Sequence, residues 1–212
     1  MKTTLLILTI SLFSICVWGQ EDRYTTAMKS AIEMMDQASE PGEFVESANR
    51  FERIATAEKS RWMPYYYASY SLVVMSFDES DGGQKDLVLD RAQELLDRAL
   101  ELDPDESELH VLQALLYPSR ILVDPMGRGM TYMELIFASL ETAKTLNPEN
   151  PRIYYLEGVN KVNLPASFGG GADLAKPILE EAVSKFEAFT NDDPLWPGWG
   201  EEGARTELEK LQ

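Results

Sequence analysis

Apolar residues recur along the chain at three- and four-residue intervals, and no stretch keeps the alternation of a half-buried strand. Valine and isoleucine are scattered among alanine, leucine, glutamate and methionine, the residues that lose least on entering a helix. The periodicity predicts helices over 24–39, 42–58, 64–77, 85–102, 106–117, 130–146, 152–163, 172–189 and 200–211. Between them lie proline, glycine, asparagine and aspartate, at 40–42, 78–83, 103–105, 118–129, 147–151, 165–171 and 192–198. Most of these connections are short, which makes successive helices antiparallel neighbours.

A longer period overlies the helical one. Ala92, Leu96, Ala99, Leu102 and Pro104 set a small residue, a large one, a small one, a leucine and a terminating proline along one helix and its exit. Leu140, Ala143, Leu146 and Pro148 repeat that phasing, and Ala182, Phe186 and Pro194 repeat it again, with Phe189 in the place of the second small residue. The three prolines recur at intervals of 44 and 46 residues, a period in which one repeat is one helical hairpin. Ala114 and Gly158 each lie ten residues past such a proline, where a small residue lets the two helices of a hairpin approach closely.

This pattern resembles the tetratricopeptide repeat. The match is best over 90–114 and 140–158, recognisable over 172–194, and degenerate over 24–77, where Ala48, Phe51, Ala55 and Ala68 keep only the phasing. The period exceeds the family's 34 residues, which places enlarged intra-repeat loops at 118–129 and 165–171. His110 stands where the family has a large aromatic, and Lys161 where it has a tyrosine. The resemblance implies an all-α fold: a right-handed α-solenoid of about four antiparallel helical hairpins with a C-terminal capping helix. It also implies a concave face whose side chains choose a partner. Phe-Gly-Gly turns like the one at 168–170 look like a habit of exported bacterial members of this repeat.

The amino-terminal stretch stands apart. Lys2 precedes an apolar run over 5–17, shorter than the roughly 20 residues that span a bilayer, and Val17 and Gly19 are small residues placed for cleavage before Gln20. The expected organisation is a signal peptide over 1–19 and a helical-repeat domain over 20–212, exported to the periplasm or secreted, with no membrane span after cleavage. A lipoprotein signal through Cys16 is the rival reading, and Ile15 and Phe13 depart from its motif.

Composition narrows the chemistry. Acidic residues number 36 against 19 Lys plus Arg, giving a net charge of −17, which disfavours phosphate backbones and anionic lipid and so excludes nucleic acid as a partner. One histidine and one cysteine leave little for metal sites or nucleophilic catalysis, so no enzyme activity, cofactor or metal is expected. His110 is read as a packing residue with one nitrogen satisfied. The turn at Phe168-Gly169-Gly170-Gly171 lacks the lysine and hydroxyl of a phosphate loop and is read as a connector plugged by Phe168. Asp78, Glu79 and Asp81 lack calcium-loop spacing and are likewise assigned to a connector. Arg128, in the 124–129 stretch, defines no ligand by itself.

The densest aromatic cluster is Trp62, Tyr65, Tyr66, Tyr67 and Tyr70, with Tyr154 and Tyr155 two repeats later. Consecutive tyrosines point about 100° apart on a helix, so some line the open surface. The candidate contact set is Tyr66, Tyr70, Tyr155, Arg152 and Asn160, reading a protein or peptide in the concave groove. The alternative is a transport-associated small-ligand binder with a pocket under the long loops, and a third possibility is an enzyme using carboxylates alone. The Trp196-Pro197-Gly198-Trp199-Gly200 stretch is expected to fold the final helix over the last hairpin.

Overall fold

The structure, a computed structural model, describes residue 21 and residues 23–212; the expected leader, its cleavage site and Cys16 lie outside the described residues. Among the described residues the chain is all-α, with no strand. Helix α1 covers 23–36. It is followed by α2 (Pro41–Ala57), α3 (Met63–Asp78), α4 (Gly82–Leu102), α5 (Ser107–Val123), α6 (Pro125–Leu146), α7 (Pro151–Asn163), α8 (Ala172–Ala188) and α9 (Glu201–Glu209). A single turn of 3-10 helix, Ala166–Phe168, sits between α7 and α8.

The polar residues of the connectors close the helix ends. Asp81, Glu106, Asp124 and Asn150 each accept a hydrogen bond from a backbone N–H in the first turn that follows, at 2.8–3.0 Å. Asp81 N–H in turn donates to Glu79 (2.8 Å), so the acidic stretch at 78–81 is spent on the entry to α4. At the α7–α8 turn, Gly169 (φ 80°) and Gly171 (φ 112°) take backbone angles open to glycine. Phe168, expected as its plug, is 59% exposed.

The stretch 118–129 is helical rather than a long loop. Helix α5 runs through Pro118 to Val123, and α6 starts at Pro125, leaving only Asp124 between them. Proline inside a helix removes one backbone hydrogen bond, at a cost of about 3 kcal/mol. Contacts made beyond the proline offset that loss. Ser119, fully buried, pairs with the Ser76 hydroxyl of α3 at 2.8 Å. Arg120 reaches Asp86 (3.1 Å) and Asp90 (2.6 Å), and Arg128 forks onto both oxygens of Asp86 (2.7 and 2.8 Å). The arginine whose ligand the sequence left open therefore clamps the α5–α6 corner to α4.

From α2 to α9 each helix packs on the next in chain order, and α3 also meets α5, α5 meets α7, and α7 meets α9. Helices α3, α5, α7 and α9 thus meet one another in a continuous row. Two hydrophobic cores result. One gathers Met28, Phe51, Tyr66, Leu72, Leu96 and Leu112 around α3, and the other gathers Val111, Ile136, Ile153, Tyr154, Ala182 and Phe186 around α7. Gly158 permits the second: a Cβ there would lie 2.6 Å from Leu179 of α8, so only glycine allows this approach of α7 and α8.

Candidate functional site

Helix α3 has no polar face. Eleven of its 16 residues are buried, which makes it an interior helix, and the tyrosines that crowd its sequence become wall rather than surface. Tyr66 and Tyr70, one turn apart, hold their rings nearly parallel with centroids 6.2 Å apart. Tyr67 stacks on Phe51 at 5.1 Å and stands perpendicular to Tyr66 at 5.3 Å. Burial pushes all three phenols well above the ordinary tyrosine range, so they stay neutral donors and acceptors at any physiological pH.

The segment 190–200 carries no regular helix and lies against this wall. Tyr67 donates from Oη to the Leu195 carbonyl (2.7 Å), and Trp199 donates from Nε1 to Tyr66 Oη (2.8 Å). Trp196 meets Trp62 edge to face at 5.9 Å. The Trp199 ring stacks on Tyr70 at 5.4 Å and stands edge-on to Tyr155 of α7 at 6.4 Å. The stretch folds the final helix over the last hairpin, as expected, since α9 packs on α8 and α7, and on the way it also reaches back to α3.

Beneath Trp199 lies Arg152, buried at 2% exposure. Its Nη1 donates to Glu108 Oε1 (3.0 Å), its Nη2 donates to the Pro197 carbonyl, and its guanidinium lies 5.4 Å from the Trp199 ring. Asn150 donates to the same Glu108 oxygen (2.9 Å). Burial pushes the Glu108 carboxyl up, and Arg152 pulls the other way. Three buried polar atoms in this region have no hydrogen-bond partner: Glu108 Oε2, Arg152 Nε and Trp196 Nε1. Each such atom costs about 1–3 kcal/mol relative to a satisfied one.

Of the five residues singled out from sequence, four converge on Trp199. Tyr66 and Arg152 are buried, Tyr70 and Tyr155 half-buried, and all four face the chain's own segment. Asn160 is buried too, and its amide is spent within α7 on the Leu156 carbonyl (2.7 Å). His110 is bonded to the Pro104 carbonyl (3.0 Å) at the start of α5, so one nitrogen is satisfied as read from sequence. Residues the sequence reading did not single out are Met35 and Asp36 at the end of α1 and Glu108. An acidic residue in the first turn of a helix looks like a cap, and nothing local marks Glu108 as the buried partner of an arginine 44 residues away.

Segment 190–200 leaves a crevice on each side. One, of about 420 Å³, lies between Met35 and Asp36 of α1, Tyr67 and Tyr70 of α3, and Trp196 and Trp199. The other, of about 440 Å³, is bounded by Tyr24, Arg61, Trp62, Asp193 and Leu195. Arg61 lies over the Tyr24 ring at 4.1 Å, and burial pushes the Tyr24 phenol up to about 12. The first crevice offers flat ring faces, a thioether and one carboxylate, which suits a flat apolar molecule held by stacking. No helix among the described residues is long and apolar enough to cross a membrane.

No protein-family model and no curated protein sequence matches the chain. Among solved structures it is similar to the HusA haemophore from Porphyromonas gingivalis, with 34% identity and a TM-score of 0.81, over 89% of this chain and 92% of that one. Likeness at that identity over nearly the whole of both chains shows common descent, and the chain belongs to the family of the HusA haemophore.

Proposed function

We propose that this chain is an exported, non-catalytic binding protein whose cargo is haem or a closely similar flat tetrapyrrole, held in the aromatic groove of α1 and α3 over which segment 190–200 lies. The observation that carries the reading is the near full-length likeness to a haemophore. The crevice supports it: Tyr67 and Tyr70 supply aromatic surface on α3, with the Met35 thioether beside them. Stacking and burial of apolar area contribute to holding such a cargo. The α-solenoid of tetratricopeptide-like hairpins is part of the same proposal, supported by the unbroken row α3, α5, α7 and α9. Export rests on the leader expected at 1–19.

This reading moves the ligand from the two places first considered. A pocket under long loops loses one of its loops, since 118–129 is helix, clamp and cap. A protein or peptide in an open concave groove would meet Tyr66 and Arg152 only after the chain's own segment had left. The test is a titration of the mature protein with haem, followed by its visible absorbance. A saturable spectral change is expected, with affinity lowered about tenfold or more by Tyr70→Ala, because base-like stacking on one aromatic ring is worth about 1–3 kcal/mol. No saturable change with folded wild-type protein would overturn the reading.

A further inference from the structure

We infer that segment 190–200 is a displaceable strap lying in the ligand groove, and that a flat aromatic ligand carrying a carboxylate replaces it on Arg152. The inference rests on the reading of the chain as a binder of flat aromatic cargo and adds where that cargo's acidic group goes. Among the contacts that hold the strap to the inner wall are Tyr67 to the Leu195 carbonyl, Tyr66 to Trp199 Nε1, Trp62 to Trp196, Tyr70 to the Trp199 ring, and Arg152 to the Pro197 carbonyl. Each is a pair that a ligand can reproduce. A stacked indole holds the place of one edge of a larger ring system, and a backbone carbonyl on a guanidinium holds the place of a carboxylate oxygen.

The fit of the present occupant is incomplete at the point where a carboxylate would improve it. Arg152 uses Nη1 for Glu108 and Nη2 for Pro197, and its Nε is buried without a partner. Nε and Nη2 form one edge of the guanidinium, the edge that a carboxylate grips with both oxygens and a single carbonyl grips with one. The Glu108 pair on the other edge keeps Arg152 in place during the exchange. The strap also divides one groove into two. The crevices of about 420 and 440 Å³ both have Pro194 in their lining, and lifting the strap would join them along Trp62, Tyr66, Tyr67 and Tyr70. Gly200, with φ 108°, ends the strap at a position where the chain turns sharply into α9.

Hydrogen exchange on the intact mature protein, with and without haem, tests this. The backbone amides of 195–199 are expected to lose protection when haem binds, while those of α3 and α7 keep or gain it. Arg152→Lys keeps a positive charge for Glu108 but not the two-pronged edge. It is expected to fold, with a melting temperature lowered by the loss of the Pro197 contact, and to bind haem about tenfold more weakly, since Arg and Lys are not equivalent at a bidentate site. Haem binding with full protection retained at 195–199, or with affinity unaltered in Arg152→Lys, would overturn the strap and leave the haem-binding reading standing. Failure of the wild-type protein to bind haem would overturn both.

Discussion

The core around α3 is rich in rings, whereas the core around α7 mixes aliphatic side chains with alanines and borders one buried ion pair. Phe51, Tyr66 and Tyr67 meet face to face or edge to face in the first, with Trp62 and Tyr70 at its margin. In the second, Ala114, Ala143, Ala182, Ala204 and Gly158 bring helices close, and Arg152 with Glu108 fills the gap near α5. Rings tolerate exchange of one flat neighbour for another, because stacking and edge contacts are weakly directional. A buried guanidinium does not, because an unpaired charge in the interior is costly. The strap joins the two: Leu195 and Trp196 pack into the first core, and Trp199 into the second. The difference therefore assigns breadth of ring contact to α3 and fixed orientation of an acidic group to α7.

The comparison is most severely tested at the ion pair. Arg152→Ala leaves Glu108 buried without its cation and is expected to cost about 3–5 kcal/mol, read as a lowered denaturant midpoint. A loss below about 1 kcal/mol would show that the second core does not depend on the pair. Next in size is Gly158→Ala, which forces Leu179 aside and is expected to cost about 1–3 kcal/mol in the same measurement, with haem affinity little changed. The smallest effect belongs to the α5–α6 corner. Asp86→Asn removes a carboxylate shared by Arg120 and Arg128 and is expected to cost about 1 kcal/mol or less.

The corner also has a pH signature. Hydrogen bonds from Arg128, and then from Arg120, hold the Asp86 carboxyl below its ordinary range. Its folded pKa is the lower one, so its contribution is complete above the ordinary carboxylate range and disappears as pH falls through the folded value. Glu108 runs the other way, since its folded pKa is raised: the native state holds that proton more tightly, and its share of stability grows as pH falls. Unfolding midpoints followed from neutral to acid pH are thus expected to flatten on the acid side in Asp86→Asn. An acid limb unchanged from wild type would remove Asp86 from the account.

Much of the fold is legible in the chain because helices are local objects. All nine predicted segments coincide with helices, and the prolines, asparagines and aspartates between them act as caps and breaks. The departures have specific causes. Pro118 reads as a terminator, yet the buried hydroxyl pair at Ser119 and three ion pairs of Arg120 and Arg128 beyond it carry α5 past it. Phe168 reads as a plug by its size, yet the turn of Gly169 to Gly171 leaves it outside. The candidate residues Tyr66, Tyr70, Tyr155 and Arg152 do share one place, because α3 and α7 both border segment 190–200 at Trp199. Their burial was not legible, since it depends on a segment that follows them in sequence by as much as 133 residues.

By itself the sequence determined the all-α class, the placing of the helices among the described residues apart from 118–129, and the aromatic and cationic residues that gather around Trp199. These follow from three- and four-residue periodicity and from the side chains that cap or break a helix, all decided within a turn or two of chain. Only the tertiary structure decided that the groove is filled by the chain's own strap and that Arg152 is held between Glu108 and Pro197. The physical reason is that the strap is held by ring contacts of Trp196 and Trp199 and by its backbone carbonyls at Leu195 and Pro197. Every residue carries a carbonyl, so no side chain announces which one will be bound, and only packing 128 residues away brings Tyr67 to the right one.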